Sequence, residues 1–326
     1  MLKLPRRVLG SAPPTPWAPA ADGQDWAVDW GVTDLMVGHH ARVGVPVIFP
    51  GGTNGEGKLM TLEQFDQVVQ GWRTVGQGKT AVDSGLIIVA NATENSPSRV
   101  IRRIEIASDA GADCVMIAPP PDHNAVWAPA IADDMLSDVL DNSCLPVMLY
   151  DLDCPYRWPI DVFCAGLAHK NVIGAKVSSE DPARWRDILA VRDGAKRDLV
   201  IYGGIEFRGD EQLNAGMDGL LTGAAFATHW LSIQQINSDD PGERAVIQGE
   251  ITAILTRLFG GNPYGNPGTP LRWWQTGQRR LLEYGLGGVV KLNGLTGEHL
   301  LWGQEGEDSV RTLFEKYGEL MFPKAA

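Results

Sequence analysis

A single lysine sits near the end of the apolar run "VIGAKVS" (172–178). An ammonium group is strongly hydrated and rarely stands at the end of a core strand unless something compensates it. Lys176 can therefore be read in two ways. It is either the first residue of a solvated loop or an amine held in a dry pocket, able to attack a carbonyl and form a Schiff base. In the second case, apolar neighbours such as Ile173 and Val177 would lower its pKa by disfavouring the charged form. Two further features could complete such a site. Tyr150 closes another apolar run, "PVMLY" (146–150), and could move protons to and from a carbinolamine and a substrate hydroxyl. The loop "GGTNGEG" (51–57) offers backbone N–H groups without bulky side chains, together with the Thr53 hydroxyl and the Asn54 carboxamide. That set suits a carboxylate. On its own the loop reads equally as a plain turn, and it lacks the Walker spacing of phosphate-binding loops.

Something must bring these three segments together. Short apolar runs at 8–11, 45–49, 86–90, 114–118, 146–152, 172–177, 199–202 and 219–223 alternate with amphipathic segments. The latter fall at 26–43, 61–76, 96–110, 124–140, 159–168, 181–192, 207–216 and 228–237. Asp25 is the expected cap of the first helix, and Thr61 opens the second with Glu63 in its first turn. Strand–helix alternation of this length predicts an α/β fold, a (β/α)8 TIM barrel, with a doubly wound sheet as the alternative because alternation does not establish closure. In a barrel, chemistry gathers at the C-terminal ends of the strands. Lys176, Tyr150 and the 51–57 loop all fall at that mouth, which favours the pocket reading of the lysine.

After residue 240 the pattern changes. The segments "ERAVIQGEITAILTRLF" (243–259), "LRWWQTGQRRLLEYGL" (271–286) and "EDSVRTLFEKYGELM" (307–321) read as helices, the first two separated by the turn-rich "GGNPYGNPGTP" (260–270). The expected division is a catalytic barrel over 1–238 and a C-terminal helical extension over 239–326 packed on it. Phe259, Trp273 and Trp274 of the extension read as core or interface packing.

Composition narrows the function classes. The chain has 326 residues, 44% hydrophobic and 21% charged, enough for an ordered core. A formal net charge of −12 argues against nucleic acid or anionic membrane as a partner engaged through bulk charge. No apolar run is long enough to span a membrane, and "MLKLPRRVLGSAPPTP" lacks the apolar core of a secretory signal, so a cytoplasmic protein is expected. Cys114, Cys144, Cys154 and Cys164 form no C-x-x-C pair, and His39-His40 has no matching ligand nearby; no metal and no cofactor are expected.

The segments "FPGGTNGEGKLMTLEQF" (49–65), "PVMLYDL" (146–152) and "VIGAKVSSED" (172–181) resemble, in order and spacing, the dihydrodipicolinate synthase / N-acetylneuraminate lyase family of class I aldolases. The resemblance runs over roughly residues 8–235. It implies an imine between Lys176 and a 2-oxo acid, usually pyruvate, with Tyr150 as proton shuttle and Thr53 as its relay. The substrate carboxylate would meet Gly52, Thr53 and Asn54, and the backbone near Gly204 and Leu221 would line the pocket. A homodimer or homotetramer is implied as well. The departures concern the second substrate. Asn54 stands where the family has a second threonine, "IAPPPDHN" (117–124) replaces a tyrosine-bearing run, Arg157 lies later than the family's arginine, and Val177 replaces a common acidic residue. The imine machinery matches while the partner pocket does not, which leaves an unidentified aldehyde or sugar acid as the co-substrate. A phosphosugar-type barrel enzyme, with "YGGIEFRG" (202–209) as a faint phosphate loop, and a non-catalytic 2-oxo-acid-binding barrel are the competing readings.

Overall fold

The computed structural model describes residues 2–20, 25–74, 85–120, 129–152, 157–259, 271–285 and 303–323. The chain opens with β1 (Val8–Ser11), passes through the antiparallel pair β2 (Trp17–Pro19) and β3 (Trp26–Val28), and enters α1 (Trp30–Val43). It then alternates through β4 (Val47–Ile48), α2 (Leu62–Thr74), β5 (Ile87–Asn91), α3 (Pro97–Asp109), β6 (Cys114–Ile117), α4 (Pro129–Asn142), β7 (Val147–Leu152) and α5 (Ile160–Ala168). The alternation finishes with β8 (Val172–Ser178), α6 (Pro182–Gly194), β9 (Val200–Gly203), a 3-10 turn (Glu206–Arg208), α7 (Gly209–Asn214), β10 (Gly219–Thr222) and α8 (Ala225–Asn237). The strands close in the order β1-β10-β9-β8-β7-β6-β5-β4, all parallel. This is the (β/α)8 barrel, and closure removes the doubly wound sheet.

Both faces of each barrel strand are buried, so the strands read as nearly continuous apolar runs. Phe49, Val89, Met116, Met148, Tyr150 and Leu221 fill the barrel interior. Ile48, Ile88, Val115, Leu149 and Val177 face outward under the helices. Capping follows the local chemistry. Asp181 accepts from Ala183 N at the start of α6, and Thr61 and Gln64 exchange hydrogen bonds at the start of α2 as a capping box.

Several expected boundaries move. Residues 26–28 are a strand rather than the start of the first helix, because they pair with Trp17–Pro19. The cap is accordingly Asp29, whose Oδ1 accepts from Val32 N at 3.0 Å, while Asp25 accepts from Trp26 N and Gln64 Nε2. The last barrel helix begins at Ala225, earlier than expected, since "AAFAT" is small and buried enough to start directly after β10.

Among the described residues, three helices follow the barrel: α9 (Pro241–Phe259), α10 (Leu271–Gly285) and α11 (Gly303–Met321). α9 packs on α7 and α8, α10 and α11 pack on each other and on α9, and α11 also reaches α8. Among the described residues, no helix is long and apolar enough to cross a membrane. The side chains of Phe259, Trp273 and Trp274, together with Trp127, Cys154 and residues 121–124 of the fourth-strand loop, lie outside the described residues.

Where α1, α8 and the end of α11 meet, three buried histidines cluster. The His39 ring lies 5.6 Å from that of His40, 5.7 Å from that of His229 and 5.1 Å from that of Phe322. His40 Nδ1 donates to Met36 O, and its Nε2 meets Ser11 Oγ. Burial lowers all three pKa values, that of His39 to about 2 and those of His40 and His229 to about 4, and repulsion from neighbouring histidines adds to the shift at His39 and His40. In the unfolded chain each would titrate near its ordinary value of 6.5. Below that pH the unfolded state binds protons that the folded state refuses. The stability these groups contribute is therefore complete above about pH 6.5 and falls toward about pH 4, by up to about 1.4 kcal/mol per pH unit for each histidine. Urea midpoints measured between pH 7.5 and 4.5 are expected to fall through this window, and to fall less steeply in His39→Leu. Equal slopes for parent and variant would rule the cluster out as the cause.

Candidate active site

The register across β7, β8 and β9 aligns Tyr150 with Lys176 and Lys176 with Tyr202. Side chains alternate along a strand, so Lys176 and Ser178 share a face with Tyr150 across the strand pair. Lys176 is 5% exposed, with Nζ 4.6 Å from the Tyr150 ring centroid and 5.7 Å from that of Phe49. The two rings meet edge to face at 6.2 Å. Among the described residues, no carboxylate lies within ion-pair distance of Lys176, so ring faces rather than an anion surround the amine. Ser178 Oγ is hydrogen-bonded to Tyr150 Oη at 3.3 Å and to Gly204 O at 3.1 Å. Gly204 has a specific reason to be glycine. A Cβ there would stand 2.2 Å from Ser178 Oγ and 2.7 Å from Lys176 Cε. Leu221 is fully buried in the same interior, packed over Gly10.

The residue after Tyr150 faces the other way. Asp151 is fully buried on the outer side of β7 and receives Nε and Nη2 of Arg184 from α6 at 2.6–2.8 Å. Arg184 Nη2 also donates to Trp158 O, which fixes the chain just beyond the mouth. Trp158 is buried core, and Arg157 is exposed.

The glycine loop after β4 is cross-linked from several directions. Gly51 (φ 66) offers its carbonyl to Asn91 Nδ2 at 2.6 Å, and a Cβ on Gly57 would stand 1.8 Å from that same oxygen. Thr15 Oγ1 donates to Gly55 O. Arg103 of α3, nearly fully buried, donates to Gly57 O and Met60 O, and its Nε lies 3.0 Å from Glu94. Burial lowers the Arg103 pKa, with Glu94 opposing that shift. Glu56, itself left-handed at φ 59, accepts from Trp17 Nε1 at 2.9 Å and pairs with Arg279 of α10 at 3.0 Å. Asn54 is buried, and one of its amide hydrogens goes to Ala12 O. Thr53 is exposed on the loop, its carbonyl accepting from Glu56 N. A further carboxylate reaches this end of the barrel. Glu206 Oε1 accepts from Gly223 N at 2.6 Å, while its backbone oxygen is held by Gln248 of α9.

The expected residues thus divide into two sets. Lys176, Tyr150, Gly204 and Leu221 meet inside the barrel, and Gly52, Thr53 and Asn54 belong to the adjoining loop. Ser178, Asn91, Glu56 and Glu206 were not singled out from sequence. Ser178 could have been, since it stands two residues from Lys176 in a strand and so on the same face.

Comparison with known proteins agrees with this architecture. A family model described as the dihydrodipicolinate synthetase family matches residues 17–260. The 4-hydroxy-tetrahydrodipicolinate synthase of Xanthomonas campestris pv. campestris is 25% identical over 209 residues, covering 63% of this chain and 65% of that protein. The chain thus spans a little less than two thirds of that relative, and 52% of the synthase of Jannaschia sp.. An uncharacterized DapA-like lyase of Thermococcus onnurineus is 23% identical over 243 residues, covering 72% of this chain and 79% of that one. Among solved structures, dihydrodipicolinate synthase from Bacteroides thetaiotaomicron superposes with a TM-score of 0.79 at 17% identity, covering 97% of this chain and all of that one. YagE, a prophage protein of E. coli K12 solved in complex with pyruvate, gives 0.74 at 17% identity, covering 96% and 98%. At these identities the two superpositions show the fold.

The crowding at Gly204 gives a direct test. Gly204→Ala is expected to push Lys176 Cε and Ser178 Oγ aside, at a stability loss of about 1–3 kcal/mol in urea unfolding. A crystal structure of the variant that keeps Nζ 4.6 Å from the Tyr150 ring, with the Ser178–Tyr150 contact intact, would refute this steric role.

Proposed function

The chain belongs to the dihydrodipicolinate synthetase family, and from that premise we propose that it is a class I aldolase-type lyase in which Lys176 forms an imine with pyruvate or a related 2-oxo acid. The observation that carries this reading is the placement of Lys176, a buried amine beside the Tyr150 ring at the barrel mouth with no carboxylate paired to it among the described residues. In the reaction, Nζ adds to the C2 carbonyl and the carbinolamine oxygen leaves as water. Tyr150 supplies and recovers the protons, and Thr53 of the glycine loop relays to it. The resulting iminium draws electrons from C3, so loss of a C3 proton gives the enamine that attacks an electrophile; the reverse sequence cleaves an aldol. Gly52, Thr53 and Asn54 receive the substrate carboxylate, while Gly204 and Leu221 wall the pocket. The pyruvate-bound YagE, similar in fold, supports a 2-oxo acid as the first substrate.

The second substrate is an aldehyde or sugar acid other than aspartate semialdehyde. Arg157 is exposed on the segment after β7, and the prolines of 119–121 supply no donor in place of the family's tyrosines. A homodimer or homotetramer in the cytoplasm completes the reading.

Incubation with pyruvate and borohydride is expected to add one reduced pyruvate per chain, at Lys176, as read by intact mass and peptide mapping. An unlabelled parent, or a label that persists in Lys176→Ala, would overturn the imine. Tyr150→Phe is expected to lose turnover by a factor of roughly 10²–10⁴, the range of a general acid–base group. Parent-like turnover would reduce Tyr150 to packing.

A further inference from the structure

The family model ends at residue 260, yet a side chain from beyond it reaches the glycine loop. Arg279, on α10, pairs with Glu56 at 3.0 Å, and both side chains are 1% exposed. The Trp17 indole N–H donates to the same carboxylate oxygen at 2.9 Å. We propose that Arg279 is a positioning residue that fixes the shape of the glycine loop through Glu56, and so sets the affinity of the site for a 2-oxo acid. The affinity half of this statement rests on the lyase reading given above.

Glu56 is not glycine, yet its backbone is left-handed at φ 59, a conformation that persists only where its surroundings enforce it. The carboxylate is the handle. Thr53, Lys58 and Leu59 are exposed around it, while Glu56 turns into the protein. A carboxylate taken out of water needs a countercharge, and breaking a buried pair leaves the remaining charge uncompensated. Without the guanidinium, Glu56 would turn out to solvent and leave its left-handed state. That movement is passed on by two hydrogen bonds. Glu56 N donates to Thr53 O and Gly57 N donates to Gly52 O, both at 3.3 Å, so the residues proposed to receive the substrate carboxylate lose their support. Arg103 holds only the far side of the turn, at Gly57 O and Met60 O. Losing Arg279 should therefore loosen the half of the loop nearest the mouth while leaving Lys176 in place.

The test compares the parent with Arg279→Met, Arg279→Lys and the uncharged pair Glu56→Gln/Arg279→Met. Two quantities are read: amide hydrogen exchange over residues 51–60, and the pyruvate concentration that half-saturates borohydride labelling. Arg279→Met is expected to exchange its loop amides roughly tenfold faster or more, with the strand at 147–152 unchanged. Its half-saturating pyruvate should rise by a similar factor while maximal labelling of Lys176 is kept, and Arg279→Lys should recover part of both. If Arg279→Met does not fold, the double variant is read for the same two quantities. Loop exchange at the parent's rate in the folded variant overturns the proposal, as does a fall in maximal labelling with unchanged half-saturation. A parent that pyruvate does not label refutes the lyase reading alone, and loop exchange then decides the role of Arg279.

Discussion

The mouth of this barrel is organised around removing one amine from water and setting it against aromatic rings. Lys176 is 5% exposed, and among the described residues its Nζ meets the rings of Tyr150 and Phe49 rather than a carboxylate. A nearby acid would bind the amine and block its lone pair, whereas a ring face stabilises it weakly and leaves it accessible. The neighbouring features follow from that constraint. Asp151 is adjacent in sequence to Tyr150, but strand alternation turns it outward, where Arg184 neutralises it. Gly204 leaves room for the lysine stem, and Ser178 occupies the remaining polar corner with its hydrogen bonds to Tyr150 and Gly204.

Buried arginines do the corresponding work on the surrounding segments. Arg184, Arg103 and Arg279 come from α6, α3 and α10, and each grips a stretch of chain at the same end of the barrel. A guanidinium carries several donors in a fixed plane, so one side chain can hold a carboxylate and one or two carbonyls together. Arg184 does so for Asp151 and Trp158 O, and Arg103 for Glu94, Gly57 O and Met60 O. The helices thus shield the strands and also reach past them to fix loops that would otherwise be free at the rim.

Much of this was legible in the sequence, and the reason is periodicity. Each barrel strand was found from a short apolar run and each barrel helix from the amphipathic stretch after it, because those signals are local. That Tyr150 and Lys176 share one end of the barrel followed from placing both at strand ends, while their side-by-side register came from the structure. What could not be read were contacts set by register and distance. Glu56 reads as an ordinary loop carboxylate until Trp17 and Arg279 are brought to it. Trp26–Val28 read as helix because its partner strand lies across a turn. His39 and His40 read as isolated until α8 delivers His229. Asn91 ends a strand, and nothing local announces that its amide will hold Gly51 O.

The barrel closes where β1 meets β10, with Val8 beside Gly219 and Ser11 beside Thr222. Arg6, just before β1, bonds Asp218, just before β10, across a sequence separation of 212 residues, and the other Asp218 oxygen accepts from Arg192 and Ile201 N. Bringing such distant segments together carries the largest loop-closure entropy in the fold, and no local contact offsets it until the intervening strands are in place. During synthesis this edge of β1 has no neighbour until the 212 residues that separate Arg6 from Asp218 have been made, so a row of hydrogen-bonding groups waits unpaired over that stretch.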